Sequence, residues 1–274
     1  MRVFIMVRKD TPPALCYLPA MSTQHPVIVL TGASSGIGAA LAVELARSEG
    51  ARIALLARRA ELLEEVAIEV RKAGGEALVL SCDVVDEAAV AQAVEQTRAT
   101  FGAVDLAIAN AGVGLAMGAN DLSYSIIKKV MDINYLGAAT LLAAVVPTML
   151  AEGRGHIAVV SSIASYRGLR RSGPYCASKA ALSTLVEALR LELAPQGVAV
   201  TAIHPGFVKT PMTDKNRFPM PFMVPLPKAA RIIARGLAAR KREINFPWPM
   251  VTLVKLLSWL PGWLFDRLMQ RSPK

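Results

Sequence analysis

Short apolar segments alternate with amphipathic segments along most of this chain, and the alternation limits the fold more than any other feature. Seven segments have the length and apolar character of buried strands: Val27–Thr31, Arg52–Ala57, Ala77–Ser81, Val104–Ala109, His156–Ser161, Ala199–Ile203 and Glu243–Phe246. Between them, apolar residues such as Ile37, Leu41 and Leu45 recur at helical spacing. Strands and helices that alternate in this way form a parallel sheet covered by helices. We therefore predict one α/β domain with a doubly wound parallel sheet over residues 25–246.

The composition supports a folded domain and excludes several classes of site. Of the 274 residues, 53% are hydrophobic, which excludes disorder for most of the chain. Residues 1–24 are interpreted as an N-terminal extension without fixed structure, in which Met21 is an alternative start to Met1. The histidines stand singly and the cysteines lack Cys-x-x-Cys spacing, so we predict no metal site and no disulfide framework. A reducing compartment, the cytoplasm, fits these thiols best; they are Cys16, Cys82 and Cys176.

A glycine-rich segment follows the first predicted strand directly. Residues 31–38 read Thr-Gly-Ala-Ser-Ser-Gly-Ile-Gly, and an amphipathic helix comes next. Glycines at 32, 36 and 38 allow a tight turn and a close approach to a pyrophosphate, while the helix N-terminus offers free N–H groups to that anion. Glycine-rich turns also occur for packing alone, so the motif by itself leaves both interpretations open.

A tyrosine and a lysine lie four positions apart at the start of a later predicted helix. Pro174 opens this helix, so Tyr175 and Lys179 project from the same face. A nearby ammonium favours the ionised form of a phenol, which would suit Tyr175 to exchange a proton with a developing alkoxide. Such pairs arise often by chance, but this one follows Ser161 and Ser162 at the end of a predicted strand.

Seven motifs occur in an order that resembles the short-chain dehydrogenase/reductase family over residues 25–212. They are TGASSGIG (31–38), Asp83-Val84, Asn110-Ala111-Gly112, Asn134 in MDINYLG, Ser162 in VVSSIAS, Tyr175-Cys-Ala-Ser-Lys179 and PGFVKTPM (205–212). The resemblance implies a Rossmann-type fold and a nicotinamide dinucleotide cofactor. It also implies a catalytic tetrad, which consists of Asn134, Ser162, Tyr175 and Lys179.

The resemblance gives each tetrad residue a role. Tyr175 would protonate the oxygen of a carbonyl whose carbon receives a hydride, and Ser162 would hydrogen-bond that oxygen. Lys179 would hold the nicotinamide ribose and lower the pKa of Tyr175, and Asn134 would anchor a water relay behind the lysine. Structural alternatives exist for two of the four: Asn134 could be a helix-interior amide satisfied locally, and Ser162 could cap a turn.

The resemblance also implies the cofactor contacts. They are Gly32, Ser34, Ser35, Gly36, Ile37, Gly38, Arg58, Asp83, Val84, Asn110, Ala111, Gly112, Tyr175, Lys179, Pro205, Gly206, Val208 and Thr210. Asp83 is expected to meet the adenine amine or, alternatively, to cap the next helix. The backbone of Val208 and the side chain of Thr210 are expected to contact the carboxamide and the phosphates, unless this segment is only a turn. Ala109 stands where relatives commonly carry asparagine, which puts one sheet-stabilising hydrogen bond in doubt.

The end of the second predicted strand indicates which dinucleotide is used. Ala57 stands where NAD-using relatives carry an acidic residue, and Arg58 and Arg59 follow it. A guanidinium forms bidentate contacts with a 2′-phosphate, so we predict NADP(H), with Arg58 as the main contact. NAD(H) remains the alternative, because Ser35 replaces a basic residue that many NADP-using relatives carry and because both arginines could simply be solvated.

The segment after the sixth strand is expected to form the substrate lid, about residues 207–227. Residues 212–227 contain three methionines, two phenylalanines and four prolines, which favour a lipophilic carbonyl or secondary alcohol as substrate. A connector packed on the core is an equal alternative. Arg167, Arg170 and Arg171 lie before Tyr175 and would either select an anionic substrate or remain solvated.

Positive charge is concentrated near the C-terminus. The chain has 31 Lys and Arg against 21 Asp and Glu, and residues 207–274 carry the whole excess of +10. A neutral body argues against nucleic-acid binding. Residues 247–274 form an apolar and basic extension, broken by charges and Pro261, so a membrane-spanning helix is not expected. Its wide apolar face predicts peripheral membrane attachment or a subunit interface, and the basic residues Lys228, Arg231, Arg235, Arg240, Lys241 and Arg242 favour attachment to anionic lipid.

These patterns lead to an enzyme as the main hypothesis. We predict an NAD(P)-dependent oxidoreductase in the cytoplasm, associated with the inner face of a membrane and forming a homo-oligomer. A dinucleotide-binding regulatory or scaffold protein that has kept the fold without the turnover is the alternative, because a fold does not establish catalysis. Loss of turnover with retained NADPH binding in Tyr175→Phe would distinguish the two.

Overall fold

A computed structural model describes residues 25–216 and 218–270 of the chain. Seven parallel strands form one sheet in the order β3-β2-β1-β4-β5-β6-β7, so the predicted Rossmann-type fold is confirmed. The strands are β1 Val27–Thr31, β2 Arg52–Ala57, β3 Glu76–Ser81, β4 Leu106–Ala109, β5 Gly155–Val160, β6 Val198–Pro205 and β7 Glu243–Phe246. The predicted N-terminal extension, residues 1–24, lies outside the described residues.

Helices connect the strands and cover both faces of the sheet. They are α1 Gly36–Glu49, α2 Ala60–Lys72, α3 Glu87–Phe101, α4 Tyr124–Met131, α5 Gly137–Glu152, α6 Gly173–Leu193, α7 Leu226–Ala238, α8 Trp248–Ser258 and α9 Gly262–Gln270. Alternate residues of β1 point to opposite faces, as period-two geometry requires. Ile28 and Leu30 join the core under α1, α2 and α7, and Val27 and Val29 join the core under α3, α5 and α6.

The strand order places a topological switch beside β1. β1 pairs with β2 on one side and with β4 on the other, so the connections that leave β1 and β4 diverge at the carboxyl edge of the sheet. Ligands of open α/β sheets bind in the crevice at such a point. This geometry positions the glycine-rich segment and the segment after β4 side by side.

One continuous helical segment, Tyr124–Glu152, is long and apolar enough by composition to cross a membrane. In the fold it is a core element instead. α5 packs against β4, β5 and α3, and Leu141 and Val145 are fully buried. The segment contains a π-helical turn, Asp132–Leu136, between α4 and α5. Turns of this kind often occur at functional sites, and this one carries Asn134.

Candidate active site

The glycine-rich turn after β1 has the backbone geometry that glycine permits. Gly32 and Gly36 have φ values of +66° and +57°, in the left-handed region that disfavours side chains. Gly38 has an ordinary φ, but a Cβ atom there would collide with the carbonyl oxygen of Gly32. A Cβ atom at Gly36 would meet Thr210 at 3.6 Å and no backbone nearer than that. The turn is therefore closed on its inner side and faces Thr210 across the cleft.

Asn110 joins the segment after β4 to this turn. Its Nδ2 donates to the carbonyl oxygens of Thr31 and Gly32 at 3.0 and 3.1 Å. In return, the hydroxyl of Thr31 accepts the backbone N–H groups of Asn110 and Ala111 at 3.1 and 3.2 Å. These bonds fix the two walls of the crevice relative to each other, although Ala109 itself offers no side-chain partner.

Lys179 lies at the base of the site and is almost fully buried. Its Nζ donates to the carbonyl oxygen of Val160, at the end of β5, at 2.7 Å. Its ammonium also lies 5.9 Å from the ring centroid of Tyr175, as the four-residue spacing predicted. Burial lowers the pKa of Lys179 to about 8.

The expected lowering of the tyrosine pKa by Lys179 is wrong for this arrangement. Burial raises the pKa of Tyr175, and a hydrogen bond with Ser162 acts in the opposite direction. The physical reason is geometric, because the Lys179 ammonium lies over the aromatic ring and donates its short hydrogen bond to the carbonyl oxygen of Val160. Tyr175 is therefore protonated at neutral pH.

Ser162 both caps a turn and contacts the site. Its Oγ accepts the backbone N–H of Ala164 at 3.1 Å, which is the capping alternative considered from the sequence. The same hydroxyl donates to the carbonyl oxygen of Pro205 at 3.5 Å and hydrogen-bonds with Tyr175. The cap fixes the serine rotamer at the carboxyl end of β5, beside the phenol.

Asn134 is fully buried in the π-helical turn. Its Oδ1 accepts the N–H of Val113 at 2.7 Å, and its Nδ2 donates to the carbonyl oxygen of Val113 and to the hydroxyl of Ser178, both at 3.0 Å. The amide is thus satisfied by distant residues, in contrast to the local alternative. A Cβ atom at Gly112 would lie 3.3 Å from Oδ1 of Asn134 and 3.5 Å from Nζ of Lys179. Gly112 therefore lies against both Asn134 and Lys179.

The two arginines after β2 have different partners. Arg58 lies 3.6 Å from the carboxylate of Asp83, and both side chains are exposed. Nη2 of Arg59 donates to the hydroxyls of Ser34 and Ser35 at 3.0 and 3.2 Å. From the sequence, Arg58 was predicted as the main 2′-phosphate contact, and no contact was predicted for Arg59. The two adjacent hydroxyls of the glycine-rich turn, Ser34 and Ser35, were the sequence signal that pointed to a partner for Arg59.

Asp83 does not cap the next helix, so one alternative from the sequence is removed. The N-cap of α3 is Asp86, whose carboxylate accepts the N–H of Ala89 at 3.0 Å. Val84 is buried, and its carbonyl oxygen accepts the hydroxyl of Thr140 on α5 at 2.8 Å. The segment that follows β3 is consequently held in place by α5.

The segment after β6 closes the opposite side of the crevice. Gly206 donates its N–H to the carbonyl oxygen of Phe246 at 2.7 Å, and a Cβ atom there would lie 2.9 Å from Cδ of Pro247. Val208 is buried, and backbone bonds from Lys209 and Val224 close the base of the following loop. The loop between residues 209 and 223 carries half-exposed apolar side chains, which are Met212, Phe218, Phe222 and Met223.

The crevice fits a nicotinamide dinucleotide on its own geometry. The turn offers a glycine cradle that a Cβ atom would fill, at the N-terminus of α1, and its outer end carries two guanidinium groups. Lys179, Tyr175 and Ser162 lie at the inner end. Within residues 25–216 and 218–270, no group of three or more His, Cys, Asp or Glu side chains could hold a metal ion.

Comparisons with known proteins agree with this geometry. A family model described as short chain dehydrogenase matches residues 26–220. An uncharacterized oxidoreductase of Myxococcus xanthus is 40% identical over 243 residues, which cover 89% of this chain and 96% of that protein. A 3-ketoacyl-ACP reductase from Sinorhizobium meliloti has a TM-score of 0.75 and 31% identity, over 83% of this chain and 100% of that one.

A second solved structure contains the cofactor. L-sorbose reductase from Gluconobacter frateurii, complexed with NADPH and L-sorbose, has a TM-score of 0.72 and 28% identity, over 82% of this chain and 93% of that one. The family match extends over more than half of the chain and includes the glycine-rich turn, the segment after β4 and all four residues of the expected tetrad. The chain therefore belongs to the short-chain dehydrogenase/reductase family and is an NAD(P)-dependent oxidoreductase that acts on CH–OH or C=O groups.

Proposed function

We propose that the protein is an NADP(H)-dependent carbonyl reductase or alcohol dehydrogenase for a lipophilic substrate, with Tyr175 as the general acid and base. One observation carries the catalytic assignment. Tyr175, Ser162 and Lys179 converge at the carboxyl ends of β5 and β6, while Asn134 is held behind Lys179 by Val113 and Ser178. Asn134, Ser162, Tyr175 and Lys179 are the proposed catalytic residues.

The protonation states support this assignment. Tyr175 is protonated at pH 7, which is the form that gives a proton to a developing alkoxide. Ser162 holds the substrate oxygen beside the phenol, since its rotamer is fixed by the cap on Ala164. A bound nicotinamide supplies or accepts the hydride. Lys179, with a pKa of about 8, is mainly cationic at pH 7 and would bind the ribose hydroxyls.

The preference for NADP(H) rests on the outer end of the crevice. Ala57 offers no carboxylate for ribose hydroxyls, and Arg58 and Arg59 both stand at this end. We assign the 2′-phosphate to both guanidinium groups, because Arg59 is already oriented by Ser34 and Ser35. Asp83 would then receive the adenine amine, with Arg58 moving from Asp83 to the phosphate. The solved relative L-sorbose reductase binds NADPH, which agrees with this assignment.

A comparison of steady-state constants for NADPH and NADH tests the cofactor assignment. We expect kcat/KM to favour NADPH at least tenfold. Equal values, or a preference for NADH, would overturn it and support the NAD-preferring alternative.

The enzymatic hypothesis itself is tested by NADPH oxidation with carbonyl compounds from short aldehydes through steroids to long-chain 3-keto lipids. The scaffold alternative predicts NADPH binding without turnover on any of them.

A lipophilic substrate is supported by the loop after β6. Its four half-exposed apolar side chains stand at the carboxyl edge, where the substrate must enter. Thioether side chains such as that of Met212 adapt to varied apolar surfaces, and Phe218 adds aromatic area. A Cβ atom at Gly114 would lie 3.5 Å from Sδ of Met212, so the loop reaches the opposite wall. We expect longer acyl or ring substrates to have lower KM values than short aldehydes.

We also propose that the enzyme works in the cytoplasm as a homo-oligomer. Cys82 and Cys176 are buried free thiols, which fits a reducing compartment. Leu191 on α6 is 73% exposed, and Leu136 is also exposed on the π-helical turn. Apolar side chains on helical surfaces of this kind suit a subunit contact. Light scattering at several protein concentrations tests this assembly.

A further inference from the structure

Helix α8 exposes apolar side chains to solvent and contacts the body of the protein through a lysine. Val251 is buried, and Nζ of Lys255 lies 3.6 Å from the carboxylate of Glu243 and 5.3 Å from the ring centroid of Tyr166. Leu253 and Leu256, by contrast, are 50% and 65% exposed. A helix on a surface that meets only water has its apolar stripe on the inner side. The outer face of α8 therefore has the character of a contact surface.

The three tryptophans of the chain all belong to the same C-terminal segment. Trp248, Trp259 and Trp263 are 78%, 89% and 69% exposed. We define the C-terminal apolar surface as these tryptophans with the three exposed leucines of α8 and α9, which are Leu253, Leu256 and Leu268. A tryptophan combines a large apolar area with one N–H group, which suits it to the boundary between lipid and water.

This surface is fixed to the enzyme body. The guanidinium of Arg167 donates to the carbonyl oxygens of Ser258 and Leu260 at 3.5 and 3.4 Å, and it lies 4.4 Å above the ring of Phe265. Arg167 stands only five positions after Ser162. α8 and α9 are therefore docked on the loop that carries the proposed catalytic serine, and the side chains of the C-terminal apolar surface remain exposed.

The charges around the surface favour anionic lipid over a second copy of the chain. Lys241 and Arg242 are exposed and directly precede Glu243, the partner of Lys255 on α8. Arg170 and Arg267 are exposed beside α9, where Asp266 is the acidic neighbour. Two copies that met through this surface would bring two basic C-terminal regions together, since residues 207–274 of each copy carry the excess charge of +10. An anionic bilayer would be attracted by the same charge.

The length of α8 defines the mode of binding. Eleven residues span about 16 Å, whereas the hydrocarbon core of a bilayer is about 30 Å thick. We propose that the C-terminal apolar surface binds an anionic lipid bilayer, with α8 and α9 lying in the headgroup region and their Trp and Leu side chains inserted between the lipids. This attachment is independent of the proposed catalytic function.

Intrinsic fluorescence is a direct probe, because every tryptophan of the chain lies on this surface. The full-length protein is titrated with phosphatidylcholine vesicles and with vesicles that also contain phosphatidylglycerol, with and without brominated acyl chains. We expect a blue shift and bromine quenching with the anionic vesicles, and at least tenfold weaker binding to the neutral ones. Neither a shift nor quenching with anionic vesicles would overturn the proposal.

Paired variants test the residues. L253S/L256S should weaken vesicle binding at least tenfold, whereas Ile68→Ser, an exposed apolar position on α2, should leave it unchanged. Retained NADPH turnover and thermal unfolding show that the double variant is folded. Vesicle binding equal to that of the wild type would overturn the proposal. So would a concentration-dependent blue shift without lipid, since that result would assign the surface to a second copy of the chain.

Discussion

Nζ of Lys179 lies 2.7 Å from the carbonyl oxygen of Val160, so the proposed catalytic lysine is held by the last residue of β5. A single backbone oxygen only partly replaces the water that a buried ammonium loses. This is the physical cause of the lowered pKa of about 8. The same contact keeps the ammonium over the ring of Tyr175 rather than at its hydroxyl.

The lowered pKa of Lys179 makes stability depend on pH. The pKa of lysine in an unfolded chain is about 10.4. Between pH 8 and that value, the unfolded chain therefore holds a proton that the folded chain has lost. The free energy of unfolding therefore rises with pH in this window by about 3 kcal/mol from this residue. Urea unfolding of the wild type and of Lys179→Met at pH 7.5 and pH 10.5 isolates the effect. A difference between the two proteins that does not change with pH would contradict the prediction.

Removal of the phenol hydroxyl should abolish turnover and leave binding intact. Tyr175→Phe deletes the proton donor while keeping the aromatic ring below the Lys179 ammonium. We expect kcat to fall by about 10²–10⁴-fold, which is the usual contribution of a positioned acid or base. The Kd of NADPH, measured by fluorescence titration, should change less than threefold. Substantial remaining turnover would argue against Tyr175 as the acid.

Replacing Arg59 should weaken the preference for NADPH, whereas replacing an exposed arginine far from the crevice should not. Arg59→Ala removes the donor to Ser34 and Ser35 and one proposed phosphate contact. A charge-assisted hydrogen bond contributes about 1.5–3 kcal/mol, so kcat/KM for NADPH should fall about tenfold to a hundredfold while the value for NADH changes little. Arg47→Ala, on the exposed end of α1, is the matched control. Equal losses with both cofactors would remove Arg59 from the phosphate site.

Asn134 should matter for stability as well as for activity. Asn134→Ala removes the acceptor of the Val113 N–H in a buried region, together with the donor to the carbonyl oxygen of Val113 and to the hydroxyl of Ser178. We expect the free energy of unfolding to fall by about 2–4 kcal/mol, measured by urea denaturation. Ser178→Ala, which removes one of the three bonds of the amide, should cost about 1 kcal/mol. Similar losses in the two variants would show that Val113 is not the main partner.

The glycine-rich turn can be tested with one methyl group. In Gly38→Ala the new Cβ atom collides with the carbonyl oxygen of Gly32, so the turn must open and NADPH binding should weaken at least tenfold. Gly168→Ala is the matched control, because a Cβ atom there meets nothing within 4 Å and its φ is not in the left-handed region. Both variants are compared by NADPH titration. Unchanged binding in Gly38→Ala would contradict the crowded geometry of the turn.

Much of the fold was predictable because a strand buried in the sheet must consist mainly of apolar residues, and such segments can be recognised in the sequence. β1, β2 and β7 begin and end where their apolar segments do. β4 begins two residues later than predicted, at Leu106, because the carboxylate of Asp105 accepts the N–H of Val27 at 3.0 Å. A side chain that takes a place in the hydrogen-bond ladder cannot be recognised from hydrophobicity alone.

The order of the motifs, from residue 31 to residue 212, was enough by itself to predict the family, the fold and the set of site residues, since short motifs at strand ends converge at one edge of a parallel sheet. Only the tertiary structure decided how these residues interact. Asn134 is held in a π-helical turn by Val113, Arg59 rather than Arg58 contacts the glycine-rich turn, and burial raises the pKa of Tyr175. The contacts of Arg167 with the end of α8 and of Lys255 with Glu243 likewise determine which side of α8 faces solvent. Each of these outcomes depends on partners distant in sequence, which no local pattern encodes.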